Sequence, residues 1–175
     1  MNTKLSFWLI PFQEDLDYFQ EIIDTLAQEY DAPTFTPHVT IYSGEYAPDT
    51  SLESMLEQAT QGIKSLSLSV EQVLYTEEFT KSLFVQFHQN STLSQISDTL
   101  GSFSKSASKF TLNPHLSLIY QHLAEGIKQK LITKISLPKS EVLFNEVRVI
   151  STPSKVETRE DVEIWKLLYT KRILT

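Results

Sequence analysis

The chain of 175 residues contains no cysteine. This absence excludes disulfides, thiolate catalysis and zinc or iron–sulfur centres with cysteine ligands. It also fits a reducing compartment, and we predict a cytoplasmic protein. Glycine is scarce as well, with four residues beside seven prolines, so a collagen-like or low-complexity chain is excluded.

Basic residues are in the minority, with 15 lysines and arginines against 22 aspartates and glutamates. Proteins that hold a long nucleic-acid backbone usually carry a basic patch that neutralises the phosphates. No run of basic residues here is longer than two, so we expect no long nucleic-acid partner. A small anionic ligand is compatible with this balance, because a few local donors suffice for one phosphate.

Long hydrophobic runs are also missing, since no segment approaches the roughly 20 apolar residues of a membrane span. We therefore expect no membrane association. The apolar opening "SFWLIPF" is followed by acidic residues and not by a small-residue cleavage site, so we interpret it as a first strand. Length and an ordinary hydrophobic content of 41% predict one substantial globular domain, which we expect to be a monomer.

One short pattern occurs twice: proline, histidine, aliphatic, hydroxyl, aliphatic. It reads "PHVTI" from Pro37 and "PHLSL" from Pro114, which puts His38 and His115 77 positions apart. The same ungapped offset aligns further hydrophobic residues, and we infer a duplicated unit. It sets Phe7, Trp8 and Ile10 on Phe84, Val85 and Phe87, and the helical stripe Leu16, Phe19, Ile23, Leu26 on Leu93, Ile96, Leu100, Phe103.

Each half is predicted to begin with a strand, a helix and a second strand that carries the histidine. Amphipathic spacing predicts helices over about 14–29, 50–63, 91–106 and 121–135. Further strands are predicted at 65–76, 141–152 and from Trp165 to Tyr169, and the polar stretch 151–161 as a loop.

The predicted fold class is α+β, with two pseudo-symmetric lobes and a central cleft between them. Each lobe is expected to be an antiparallel sheet with helices packed on its outer face. We expect residues 1–175 to form a single bilobal domain, with the two motifs at 37–42 and 114–120.

The alternation of a strand explains the motif, because residues i and i+2 point to the same face. His38 and Thr40 share one face, as do His115 and Ser117, while the aliphatic residues face the lobe cores. Two imidazoles can serve as a general acid and a general base, and hydroxyls can hydrogen-bond anionic oxygens. This set suits in-line attack on a cyclic phosphodiester with no metal or other cofactor.

Two H-x-[ST] motifs, "HVT" and "HLS", at this spacing in a chain of this size resemble the 2H phosphoesterase superfamily. "PHLSLIY" after "KSLFVQF" is similar to its cyclic phosphodiesterase branch. The resemblance implies metal-independent hydrolysis of nucleoside 2',3'-cyclic or ADP-ribose 1'',2''-cyclic phosphates. It also implies that His38 and His115 are the acid–base pair, that Thr40 and Ser117 bind phosphate, and that Tyr120 lies near the substrate.

Other aromatic and histidine residues have weaker signals. Tyr42 follows the first motif, and Phe79 lies in a polar segment, so both are candidates for stacking on a nucleobase. His88 and His122 lack a hydroxyl two positions on, and we interpret both as solvated structural residues. Their spacing does not support a metal site.

Three hypotheses for the function stay open. The first is a cyclic phosphodiesterase acting on a small cyclic nucleotide. The second is an RNA-end-processing relative that resembles the 2'–5' RNA ligase branch, which the acidic composition disfavours. The third is a non-catalytic nucleotide-binding module, which the two intact histidines disfavour. Which histidine is the acid and which is the base also stays open.

Overall fold

A computed structural model describes residues 2–173 of the protein. These residues form a seven-stranded antiparallel sheet and five α-helices. The strand order is β1-β2-β5-β4-β3-β6-β7, and β1 additionally pairs with β6. The strands are β1 (Thr3–Pro11), β2 (Val39–Tyr46), β3 (Leu66–Tyr75), β4 (Leu83–Phe87), β5 (His115–Ile119), β6 (Glu141–Ser151) and β7 (Lys166–Arg172).

The helices lie close to their predicted positions. They are α1 (Gln13–Tyr30), α2 (Leu52–Ala59), α3 (Ser91–Ser102), α4 (Glu125–Lys134) and α5 (Arg159–Glu163). Asn90 caps α3 and Ser51 caps α2, each accepting a hydrogen bond from the backbone N–H three residues on. The prediction of a loop over 151–161 was wrong at its end, because Thr158 and Asp161 form a capping box that begins α5.

The predicted fold class is confirmed, and the two halves of the chain are interlocked. β3 follows the first motif in sequence but pairs with β4 and β6, whereas β6 follows the second motif but pairs with β1. The lobe that contains β1 and β2 therefore takes β6 from the second half of the chain, and the lobe that contains β4 and β5 takes β3 from the first half. Helix α1 packs against β5 and β1, and α3 packs against β2, so helices also bridge the halves.

The ungapped offset of 77 positions aligned the first strands of the two halves wrongly, by one residue. Trp8 pairs with Thr40, and the residue that pairs with Ser117 is Phe84, not Val85. One residue separates the first strand from its helix in the first half, and three residues separate them in the second half. A shift of one residue moves a side chain to the other face of a strand. The corrected alignment therefore puts Trp8 and Phe84 on the same face as the motif histidines.

Candidate active site

A single backbone pairing joins the two motif strands: Val39 of β2 lies opposite Leu116 of β5. In an antiparallel pair this register sets His38 beside Ser117 and His115 beside Thr40. All four side chains consequently share one face. Both aliphatic partners are fully buried in the core on the other face, which fixes the register by hydrophobic burial.

This face forms one wall of a cavity of about 310 Å³. A cavity of that size lies at the small end of those that hold nucleotide-sized ligands. The cavity has aromatic side chains as well as hydroxyls. Besides the four motif residues, it is lined by Lys4, Ser6, Trp8, Ser43, Thr80, Phe110, Tyr120, Thr152, Pro153, Ser154, Val156 and Trp165.

The His38 imidazole is enclosed by aromatic rings. Trp8 stacks on it with ring centres 3.7 Å apart and planes 10° from parallel. Its Nδ1 lies 2.6 Å from the carbonyl oxygen of Thr36; since a carbonyl only accepts, Nδ1 carries the hydrogen and Nε2 is left for chemistry. The pKa of His38 is lowered to about 3, mainly by burial; the Thr36 hydrogen bond opposes this shift, and the charge of His115 adds to it.

The His115 imidazole has the same backbone arrangement, with Nδ1 2.7 Å from the carbonyl oxygen of Asn113. Its surroundings are more polar. Burial lowers the pKa of His115 and the positive charge of Lys81 adds to this, while the Asn113 hydrogen bond and the charge of Glu78 raise it. Phe84 contacts this ring edge-on at 5.4 Å, in the position that Trp8 has at His38.

The two motif hydroxyls also differ. Ser117 is buried, and its Oγ donates to the carbonyl oxygen of Thr80 at 2.6 Å. Thr40 is half-buried, and its hydroxyl has no hydrogen-bond partner in the part of the chain that the structure describes. The Thr40 hydroxyl is therefore the freer donor toward an anionic oxygen in the cavity.

Of the predicted aromatic contacts, Tyr120 lines the cavity. It is stacked on Phe35 at 3.9 Å, and burial raises its pKa, so it is a protonated phenol. Tyr42 does not line the cavity: it is buried in the core, its ring packed beside Gly101 and Phe110. A register shift in the β1–β2 pairing, at Ile41, turns Tyr42 away from the face that carries Thr40.

Phe79 also lies outside the cavity lining. It occupies a short 3-10 helix (Phe79–Lys81) and is buried beside Tyr120 and Val162. His88 and His122 are exposed and do not line the cavity. Within residues 2–173, no group of three or more histidine, aspartate or glutamate side chains is placed to hold a metal ion.

Sequence reasoning missed both tryptophans of the cavity wall. Trp8 had a signal, because Lys4, Ser6 and Trp8 alternate with Leu5, Phe7 and Leu9 along β1, and the polar members mark the open face. Trp165 had none, since it reaches the site from a segment about 50 residues beyond the second motif.

The comparisons with known proteins agree with this geometry. The family model described as cyclic phosphodiesterase-like protein matches residues 1–173, and the chain belongs to that family. The predicted membership of the cyclic phosphodiesterase branch of the 2H phosphoesterases is thereby confirmed. The protein is an enzyme of this kind, a hydrolase.

Individual relatives are distant. The chain is 24% identical to the cyclic phosphodiesterase of Arabidopsis thaliana over 90% of each sequence. Among solved structures, it is similar to E. coli LigT complexed with 3'-AMP, with a TM-score of 0.58 and 13% identity over 100% of each chain. A protein from Thermus thermophilus gives a TM-score of 0.59 and 10% identity over 97% of each chain. These structures show the shared fold.

Proposed function

We propose that the protein hydrolyses small cyclic phosphodiesters, nucleoside 2',3'-cyclic phosphate or ADP-ribose 1'',2''-cyclic phosphate, by acid–base catalysis with His38 and His115. The observation that carries the proposal is the Val39–Leu116 pairing, which puts two imidazoles and two hydroxyls on one face of one cavity. The name of the Arabidopsis relative, cyclic phosphodiesterase, supports the reaction class.

The reaction follows from what each group can do. One imidazole accepts a proton from water at Nε2 as the water oxygen bonds to phosphorus. The other, protonated at Nε2, gives its proton to the ribose oxygen as the ring P–O bond breaks. The product is a phosphomonoester, and exchange with solvent restores both histidines.

The electrostatics of the cavity fit this cycle once an anion is bound. Burial favours the neutral form of both histidines, which suits a base. A phosphodiester anion beside them raises the pKa of each imidazole, because opposite charge favours the protonated form. Thr40 and Ser117 are proposed to hold the non-bridging oxygens, and Tyr120 to contact the substrate.

Tyr42 and Phe79 were also predicted to contact the substrate. Since both are buried outside the cavity lining, we propose indirect roles for them. Tyr42 supports the motif strand from the core, and Phe79 supports the ring of Tyr120, whose centre lies 6.2 Å away. A cytoplasmic location stays a prediction from the sequence.

The test is hydrolysis of 2',3'-cyclic AMP in the presence of EDTA, followed by phosphorus NMR. We expect turnover with a bell-shaped pH profile of kcat/KM, and His38→Ala and His115→Ala should each lower kcat/KM by at least roughly a hundredfold. His122→Ala, on an exposed residue, is the matched control and should stay within about twofold.

Two kinds of result would count against the proposal. One is full activity in either motif variant or a profile that is flat from about pH 5 to 9, since an acid–base pair must titrate. The other is turnover of an oligonucleotide end in preference to the mononucleotide, which would favour the RNA-processing hypothesis.

A further inference from the structure

The two tryptophans of the chain both line the cavity, but only one has a hydrogen-bond acceptor for its indole N–H. Trp8 donates from Nε1 to the hydroxyl of Ser6 at 2.9 Å. The Nε1 of Trp165 is buried, and none of residues 2–173 accepts its hydrogen. The two rings contact each other edge-on, with centres 5.2 Å apart, so this difference arises within one aromatic cluster.

An unpartnered buried donor is costly, because the hydration lost on burial is not replaced. The rest of the Trp165 environment is well packed: its ring centre lies 5.6 Å from that of Tyr120 and 6.3 Å from that of His38. The indole is thus held in the wall of the cavity by edge-to-face aromatic contacts, while its N–H has no acceptor among the described residues. Such an atom in a binding site is suited to an acceptor that arrives with the ligand.

We infer that the indole N–H of Trp165 donates a hydrogen bond to an oxygen of the ribosyl cyclic phosphate of the substrate. This inference rests on the proposed function. A hydrogen bond spans about 2.9 Å from nitrogen to acceptor. Since Trp165 is within 6.3 Å of the His38 ring, the acceptor belongs to the sugar–phosphate unit that reacts there and not to a distal nucleobase.

Such a bond requires a small movement of Trp165, because its Nε1 is buried in the wall. Trp165 follows α5, in the connection between β6 and β7, and is only partly buried as a residue. The connection is attached to the C-terminal end of α1 by Arg159, which donates to the backbone and side-chain oxygens of Asp31 at 2.6 and 2.9 Å. The movement that we expect is a turn of the indole within this anchored segment, which would bring Nε1 to the cavity.

Trp165→Phe tests the inference, because it keeps an aromatic ring and removes the N–H. We expect kcat/KM to fall roughly three- to tenfold, with most of the change in KM. The fall should be equal for 2',3'-cyclic AMP and for a base-free methyl riboside 2',3'-cyclic phosphate. A fall in kcat/KM that occurs only with 2',3'-cyclic AMP would overturn the inference. Values of kcat and KM that are unchanged with both substrates would also overturn it.

Trp8→Phe is the matched variant for stability. It breaks the hydrogen bond to Ser6, whereas Trp165→Phe breaks none, so the melting temperature should fall more in Trp8→Phe. A larger fall in Trp165→Phe would make Trp165 a structural residue and contradict the inference.

Trp8→Phe also leaves Trp165 as the sole tryptophan, which gives a readout that does not need turnover. Its fluorescence should shift to longer wavelength on titration with 2'-AMP and stay unchanged with free adenosine at equal concentration. No shift with 2'-AMP overturns the inference even if the wild type hydrolyses cyclic AMP. A shift in Trp8→Phe combined with a wild type that does not hydrolyse cyclic AMP would instead refute the proposed function alone.

Discussion

The two motif histidines share one backbone arrangement and differ in nearly everything around it. Each Nδ1 lies against the carbonyl oxygen two residues earlier, at 2.6 Å for His38 and 2.7 Å for His115. His38 is then enclosed by aromatic rings, while His115 lies near the charges of Lys81 and Glu78. The repeated motif thus gives both imidazoles the same backbone hydrogen bond, while their different neighbours lower the two pKa values by different sets of causes, which suits the proposed acid–base pair.

The largest difference should appear in the pH dependence of stability. The pKa of His38 is lowered from 6.5 to about 3 by burial, so below about pH 6.5 the unfolded chain binds a proton that the folded protein does not. The contribution that neutral His38 makes to the free energy of unfolding is therefore fully present above pH 6.5 and is lost as the pH falls toward 3.

Urea unfolding at several pH values measures this loss. Between about pH 6.5 and 4.5, the wild type should lose about 2 kcal/mol more than His38→Gln, which cannot titrate. His115→Gln, from the less enclosed site, should differ from the wild type by less. Equal slopes for the wild type and His38→Gln would show that His38 is not held neutral.

The next largest difference is expected between the hydroxyls of Thr40 and Ser117, because within residues 2–173 only Ser117 of the two donates a hydrogen bond to another group of the protein. Thr40→Val should lower kcat/KM about tenfold with the free energy of unfolding unchanged, since it removes a donor without breaking a protein hydrogen bond. Ser117→Ala should lower kcat/KM and also cost about 1 kcal/mol of stability, because the Thr80 carbonyl loses its donor. Kinetics and urea unfolding check both, and a destabilised Thr40→Val would contradict the contrast.

The smallest effect is expected at Lys81. Removing its charge in Lys81→Met should raise the pKa of His115 and move one limb of the pH–rate profile to higher pH, by less than about one unit. Movement of the acidic limb would identify His115 as the base, and movement of the basic limb would identify it as the acid. Lys64→Met, on an exposed lysine outside the cavity lining, should leave both limbs in place.

Local alternation made much of the site predictable. The i, i+2 rule put His38 with Thr40 and His115 with Ser117, and hydrophobic periodicity gave the four long helices. What the sequence could not provide was contact between distant segments: the exchange of β3 and β6, and the arrival of Trp165. Tyr42 shows a second limit, because a one-residue register shift reverses the side that a strand residue faces.

The interlocked strands have a consequence for how the enzyme turns over. From β1 through β2, β5, β4, β3 and β6 the backbone pairings return to β1, so the frame around the two motif histidines is a closed circuit. Rocking the lobes apart would require breaking the four β3–β6 pairings as well as the single β2–β5 pairing, so the circuit resists a change in the separation of the two motif histidines. The Thr152–Trp165 connection, which contributes residues to the cavity lining, lies outside this circuit and is not restrained by it.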